Sequence, residues 1–360
     1  MSGQMSRLPG LLLKDFKTNG GLPATRNGSN GVRDTMRLRA IRPHLPILAI
    51  LAACFSTGAL GQSVDTIETR APVERIVAGM DGAHIEAGGE VFSLTACDAA
   101  PGLCLAPSAT PAEPARAPAG ALPDGRIAVA ATGDVRQAWY ARPTSRYAHG
   151  VLGDAIEAGS LVAVTASGQV LEIVLPADQV FEDITPRIAD LDGDGRNEVV
   201  TIRSSMGGGA AVAIYGLAGG GLTLRGAGSE NGRANRWLNI AGLLPRFDGG
   251  LTLYGVRTPH IGGRLFSLDL RDGAIAERND IATDMSNHII GSRELGMSAV
   301  GAFGGRVELV LPSQDRRRLR FPLSDRADIP LPGAIDKAIA VIEGRLVTAT
   351  ADGTLIVVSP

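Results

Sequence analysis

Residues 188–200 read Ile-Ala-Asp-Leu-Asp-Gly-Asp-Gly-Arg-Asn-Glu-Val-Val, which sets carboxylates at positions 1, 3, 5 and 9 of a nine-residue loop, on Asp190, Asp192, Asp194 and Glu198. Four acids packed this densely repel one another in water. A hard cation between them removes the repulsion, with Gly193 and Gly195 allowing the tight wrap and the Arg196 carbonyl offering a further oxygen. Mixed oxygen ligands in that number suit Ca2+ better than Mg2+, which holds to octahedral geometry and bound water. The competing reading is a solvated acidic turn without metal. An EF-hand shares the opening of the motif but needs a bidentate acid at position 12, where Thr201 stands, and flanking helices, where VVTIR follows. The expected role of the ion is to pin a turn between two strands.

Outward from the loop, short β-rich runs recur after a glycine-containing turn: Gly125-Arg126-IAVAAT, Gly159-Ser160-LVAVTA, Gly195-Arg196-NEVVTI, Gly250-LTLYGV, Gly305-Arg306-VELVL and Gly344-Arg345-LVTAT. The glycines are spaced by 34, 36, 55, 55 and 39 residues, which brackets a four-stranded propeller blade with inserted loops. A weaker early copy at Val73–Val77 brings the number to seven. Hairpin signals such as LVTAT-ADG-TLIVVS make each unit a small meander that cannot bury its own apolar face. Radial stacking leaves the fewest exposed strand edges. The fold class is therefore all-β, a β-propeller with seven blades as the first reading and six blades or a β-sandwich as alternatives.

The stretch FEDITPRIADLDGDGRNEVVTIRS, followed by GAAVAIYGL and LTLRG, resembles an FG-GAP/VCBS repeat. Carried over by that resemblance, the family's calcium ligands fall on Asp190, Asp192, Asp194 and Glu198, with the main chain of Arg196 between the last two. Similar loops in integrin-like propellers imply recognition of a partner through inter-blade loops. The match is confined to one copy, because the turns at 245–250, 302–305 and 342–344 lack the acids. The run AWYARPTSRYAHGVLGDAIEAGSLVAV, with NRWLNIAGL near 235, resembles small exported VCBS-containing proteins of alphaproteobacterial type.

The chain carries a formal charge of −2, but residues 1–61 hold eight basic and two acidic residues, leaving −8 for the rest. A mildly acidic body without a basic stripe excludes nucleic acid as the expected partner. From Met36, MRLRAIRPH followed by LPILAILAAC has the charged start and short apolar run of a secretory signal, too short to span a bilayer. Residues 1–61 are read as an overcalled start plus a signal beginning near 36. The product is then periplasmic or secreted after cleavage near Ala59-Leu60-Gly61, or a membrane-anchored lipoprotein if lipid is attached at Cys54, and the mature chain carries no transmembrane helix. Cys97 and Cys104 form an isolated pair that reads as a small disulfide-closed loop in an oxidising compartment. Residues 62–104 are thus a first blade or a small disulfide-closed lobe, 105–123 a Pro/Ala-rich linker, and 124–360 the propeller body.

Candidate chemistry outside the loop is sparse. His149, near Arg146 and Asp154, is the best polar candidate, with a hydrogen-bonding structural role as its plainer reading. His260 and His288 occupy turns at comparable places and read as turn caps or channel-lining residues. The glycine triplets at 207–209 and 219–221 lack a P-loop pattern and read as hairpin tips. The basic run Asp315-Arg316-Arg317-Arg318 reads as a solvated loop. Trp139 and Trp237 read as inter-blade filling. No Ser-His-Asp, H-E-x-x-H or paired-acid signature is present. The expectation is a monomeric, calcium-stabilised, noncatalytic module that binds a protein or glycan. The alternative is an exported hydrolase or lyase, tested first at His149, Asp154 and Glu157.

Overall fold

The computed structural model describes residues 62–79, 82–109 and 118–360, and the signal segment and Cys54 lie outside them. The described residues form strands and turns, with a single 3-10 turn at Gly150–Leu152. β1 (Ser63–Ile67) stands apart from the meander that follows it. Meander 1 comprises β2 (Val73–Gly79), β3 (Gly82–Ala87), β4 (Glu90–Ala96) and β5 (Leu103–Pro107). Meander 2 comprises β6 (Ala128–Val129), β7 (Val135–Thr144), β8 (Glu157–Thr165) and β9 (Val170–Val174). Meander 3 opens with two short strands, β10 (Gln179–Phe181) and β11 (Arg187–Ala189), both paired with β12 (Glu198–Ser205), and continues into β13 (Gly209–Ala218) and β14 (Gly221–Ala227); β10 also pairs with β8 at Phe181↔Ala158, which joins meanders 2 and 3 into one nine-stranded sheet.

Meander 4 comprises β15 (Leu238–Pro245), β16 (Leu251–Arg257), β17 (Gly263–Arg271) and β18 (Ala274–Met285). Meander 5 comprises β19 (Ala299–Phe303), β20 (Arg306–Pro312), β21 (Arg318–Arg320) and β22 (Ile329–Pro330). The last comprises β23 (Ala340–Ile342), β24 (Arg345–Ala349) and β25 (Leu355–Ser359), and its fourth strand is β1, antiparallel to β25 from Ser63↔Ser359 to Ile67↔Leu355. The first strand of the fold thereby completes its last sheet and covers an edge that would otherwise be open. This is β-propeller architecture, and its closure joins the two termini of the described body.

The described strands pair into five sheets, four of four strands and one of nine that joins meanders 2 and 3 through β10–β8, although the sequence shows seven repeat-like runs. The run after Gly125 leads into β6 and the run after Gly159 lies in β8, the first and third strands of one meander. Similar local chemistry marks both because each is apolar and follows a glycine. Residues 105–107, assigned to the linker by proline spacing, instead end β5, where Phe92 pairs with Pro107 at the open edge. Cys97 and Cys104 are disulfide-bonded across the β4–β5 turn.

The core lies between meanders. In β25, Leu355 and Val357 pack with Val73, Ile85 and Leu94 of meander 1, whereas Ile356 and Val358 pack with Phe303, Val310 and Leu319 of meander 5. Both faces of such a strand are buried, which is why LIVVS and EVVTI read as unbroken apolar runs without alternation. Trp237 fills the seam between meanders 3 and 4, as its sequence setting implied. The turns joining first to second strands lie at one end of the fold. The turns joining second to third strands, and the links between meanders, lie at the other.

Candidate functional site

The acidic loop joins β11 to β12 and so sits at the first of these ends. Its wrap depends on Gly193 and Gly195, with φ of 83° and 86°, where a side chain is strained. A Cβ on Gly193 would also stand 3.0 Å from the backbone at Gly249 and Gly250 of the next meander. Asp190 is the hub. Its Oδ1 accepts from Gly193 N at 2.8 Å and Asp194 N at 3.2 Å, and its Oδ2 accepts from Gly195 N at 2.9 Å. Asp194 Oδ1 accepts from Arg196 N at 2.8 Å, and Asp192 Oδ1 from Asp194 N at 3.3 Å. Backbone N–H groups thus offset part of the repulsion that the sequence reading assigned wholly to a cation.

The structure brings carboxylate oxygens of Asp190, Asp192 and Asp194 within 4.8 Å of one another. Oxygens on opposite sides of a calcium ion, each bound at roughly 2.4 Å, lie about that far apart. The donor set is all oxygen, so these three residues fit a hard cation. Glu198 starts β12 beside the loop, 1% exposed, with Oε2 accepting from Leu191 N at 2.9 Å. Burial and the charges of Asp192 and Asp194 push its carboxyl up to about 7, against the Leu191 hydrogen bond. The Arg196 side chain reaches away from the acids to Asp134 Oδ2 at 3.0 Å.

Asp134 was not singled out by the sequence, yet it ties the loop to meander 2. Its Oδ1 accepts from Asn197 N at 2.8 Å, and Asn197 Nδ2 donates to Thr132 O and Val135 O. Burial would raise the Asp134 carboxyl, but the Asn197 N–H and the Arg196 guanidinium hold it below its ordinary value. On the other side Leu251 N donates to Leu191 O at 3.0 Å, tying the loop to meander 4. Fixing the loop therefore fixes three meanders.

The opposite end carries a second polar group. His149, in the β7–β8 turn, does not pair with the sequence neighbours Arg146 and Asp154. Arg146 donates to Gln179 O, and Asp154 pairs with Arg293 at 2.5 Å. His149 Nδ1 instead lies 2.5 Å from Oε1 of Glu182, a buried residue whose Oε2 accepts from Ser204 Oγ. Burial raises the Glu182 carboxyl, opposed by the bonds from His149 and Ser204. His260 and His288 bond to each other at 2.8 Å, and burial pushes both down to about 4. The triplets at 207–209 and 219–221 are hairpin tips, and Arg318 bridges Asp284 and Asp328.

Glu157 is 2% exposed and faces the carboxylates of Glu182, Asp154, Asp124 and Asp183; burial first and these charges second raise it to about 10. Its folded value exceeds the unfolded one near 4.5, so its contribution is present below about 4.5 and lost as pH rises through about 10. The Glu157→Gln variant lacks this proton. Its stability advantage over the parent is expected to widen by up to about 1.4 kcal/mol per pH unit across neutral pH. Urea unfolding at pH 6 and pH 8 checks this, and a constant gap would show that Glu157 is already ionised in the fold.

A central cavity of about 820 Å3 is lined from meanders 1, 2, 3 and 6 and the link into meander 5, including Ile76, Arg126, Arg187, Glu294 and Lys337. No helix among the described residues is long and apolar enough to cross a membrane. No family model matches the sequence, and no curated protein does. Solved structures similar to the chain include two with the following extents of match. One is BamB from Moraxella catarrhalis, at 13% identity and TM-score 0.26 over 83% of this chain and 96% of that one. The other is a puromycin hydrolase mutant complexed with PGG, at 16% identity and TM-score 0.29 over 78% of this chain and 42% of that one.

Proposed function

We propose that this chain is an exported, noncatalytic binding or scaffold module of the FG-GAP/VCBS kind, pinned by calcium at the 190–198 loop. The observation that carries the reading is the convergence of Asp190, Asp192 and Asp194 in a loop bonded to both neighbouring meanders. Asp190, Asp192 and Asp194 would hold the ion through lone pairs of their carboxylate oxygens, with Glu198 and the Arg196 carbonyl as the further donors carried over from the family pattern, and bound calcium would supply the positive charge that offsets their repulsion. A rigid ring presents loops at both ends and a cavity of mixed polarity at its centre, which suits recognition of a protein or glycan. The test is a pulldown from periplasmic extract, with and without chelator. Recovery of one specific macromolecule only when calcium is present supports the reading, and recovery of none in either condition overturns it.

A second reading, an exported hydrolase or lyase, draws on the His149–Glu182 pair, because a carboxylate behind an imidazole is the arrangement of a general base. Turnover of a glycan or ester panel that disappears in His149→Ala would replace the first reading with this one.

A further inference from the structure

Residues 62–360 carry a formal charge of −8, yet the wall of the central cavity holds five basic side chains against four acidic ones. The acids are already engaged. Asp124 Oδ2 pairs with Arg293 Nε at 2.8 Å and Asp336 Oδ1 with Lys337 Nζ at 2.6 Å. Glu74 Oε1 accepts from Gly88 N at 3.2 Å, and Glu294 Oε1 from Gly296 N at 2.6 Å. Burial raises the Glu294 carboxyl, opposed by the Gly296 N–H and by the charges of Arg75 and Lys337. Of the remaining bases, Arg187 pairs with Asp183, and Arg75 with Glu86 at 3.5 Å.

Arg126 is the exception. Its side chain donates to the Asp124 carbonyl at 3.3 Å and forms no ion pair among the described residues, which leaves most of a five-donor guanidinium unused. The backbone fixes where it stands, because Arg126 N donates to Ile184 O at 3.1 Å and so seats it beside the 184–187 segment of the same wall. Ile76, Ile184, Leu295 and Ile339 supply aliphatic surface to the cavity, and no aromatic ring lines it among the described residues. A sugar ring therefore finds no stacking platform, and a ligand must be held by charge and aliphatic contact. The volume of about 820 Å3 lies in the range of small-molecule sites, roughly 300–1,000 Å3.

We propose that the central cavity binds a small organic anion, its carboxylate or phosphate group taken by Arg126 and its carbon skeleton lying against the aliphatic part of the wall. A guanidinium fork matches either head group with two parallel N–H donors. Arg187 adds positive charge to the same wall. No residue of the acidic loop lines the cavity, so the site stands whether or not calcium binds at 190–198.

The experiment is titration calorimetry of the full-length chain with benzoate and phenyl phosphate, which share a body and differ in head group, and with inorganic phosphate, which lacks the body. Ionic strength is held constant so that screening does not mimic binding. One-to-one binding of benzoate or of phenyl phosphate is expected, and the tighter of the two identifies the head group. Inorganic phosphate should bind at least about tenfold more weakly than that probe, because it buries no apolar surface. Arg126→Ala should weaken the organic probe at least about tenfold; Arg126→Lys, which keeps the charge and loses the fork, should weaken it less and serves as the test if the alanine variant does not fold. Arg317→Ala, which removes an exposed guanidinium outside the cavity, should leave binding unchanged. Absence of saturable binding of both organic probes at millimolar concentration overturns the proposal. So does binding that both Arg126 variants leave intact, that Arg317→Ala weakens equally, or that inorganic phosphate matches.

Discussion

The Asp183→Ala variant is expected to lose about 3–5 kcal/mol of stability, the usual cost of stranding one partner of a buried ion pair. Asp183 is wholly buried and accepts from Tyr140 Oη at 2.9 Å, from Ile184 N at 2.9 Å and from Arg187 Nη1. Burial raises its carboxyl, and the Arg187 charge and the Tyr140 bond oppose that rise. The backbone around it depends on this set of bonds. Phe181 pairs with Arg203 and Arg187 with Val200, so residues 182–186 between β10 and β11 bulge opposite only Thr201 and Ile202. Removing the carboxylate leaves the Tyr140 hydroxyl without an acceptor and Arg187 without its counter-charge. Arg187 keeps a quarter of its side chain in solvent, which places the loss toward the lower part of the range. The Tyr140→Phe variant deletes one donor to the carboxylate and leaves its ion pair in place, so it should cost less, about 1.5–3 kcal/mol. Urea midpoints of the two variants check the ordering; an Asp183→Ala loss below that of Tyr140→Phe would show that the bulge is held by packing alone.

Calcium should raise the melting temperature of the parent chain by several degrees over a chelator-treated sample. At a free concentration of about one hundred times Kd the linkage is about 2.7 kcal/mol. A domain of this size gains roughly 2–4 °C for each kcal/mol. The Asp192→Ala variant should erase the shift. Asp192 is the right position because it is the least tied to the loop backbone of the three, accepting one N–H at 3.3 Å, whereas Asp190 accepts three. Its loss removes charge without unfastening the turn. Scanning calorimetry in calcium and in chelator settles the matter, and a shift retained by Asp192→Ala means that the ion sits elsewhere.

How far each feature could be read ahead of the fold follows from the distance between the groups that make it. The acidic loop closes on itself within nine residues, so the composition and spacing at 190–198 already placed three carboxylates together. Asp134, which staples that loop to meander 2, belongs to a different hairpin and carries no local mark beyond an ordinary turn. His149 shows the same effect more sharply. Its sequence neighbour Asp154 faces Arg293, and its true partner Glu182 lies 33 residues on in another meander.

Local chemistry alone therefore determined the strands, the hairpin tips, the all-β class and the Cys97–Cys104 pair, because each depends on backbone conformation and neighbours a few residues away. Only the tertiary structure decided that the runs at Gly125 and Gly159 share one meander and that β1 completes the sheet of β25. The same holds for the histidine group around Trp237, assembled from separate turns. A strand's apolar pattern specifies that it is buried on both faces, but hydrophobic burial is non-directional and names no partner. Which edge pairs with which is set by closure of the ring as a whole.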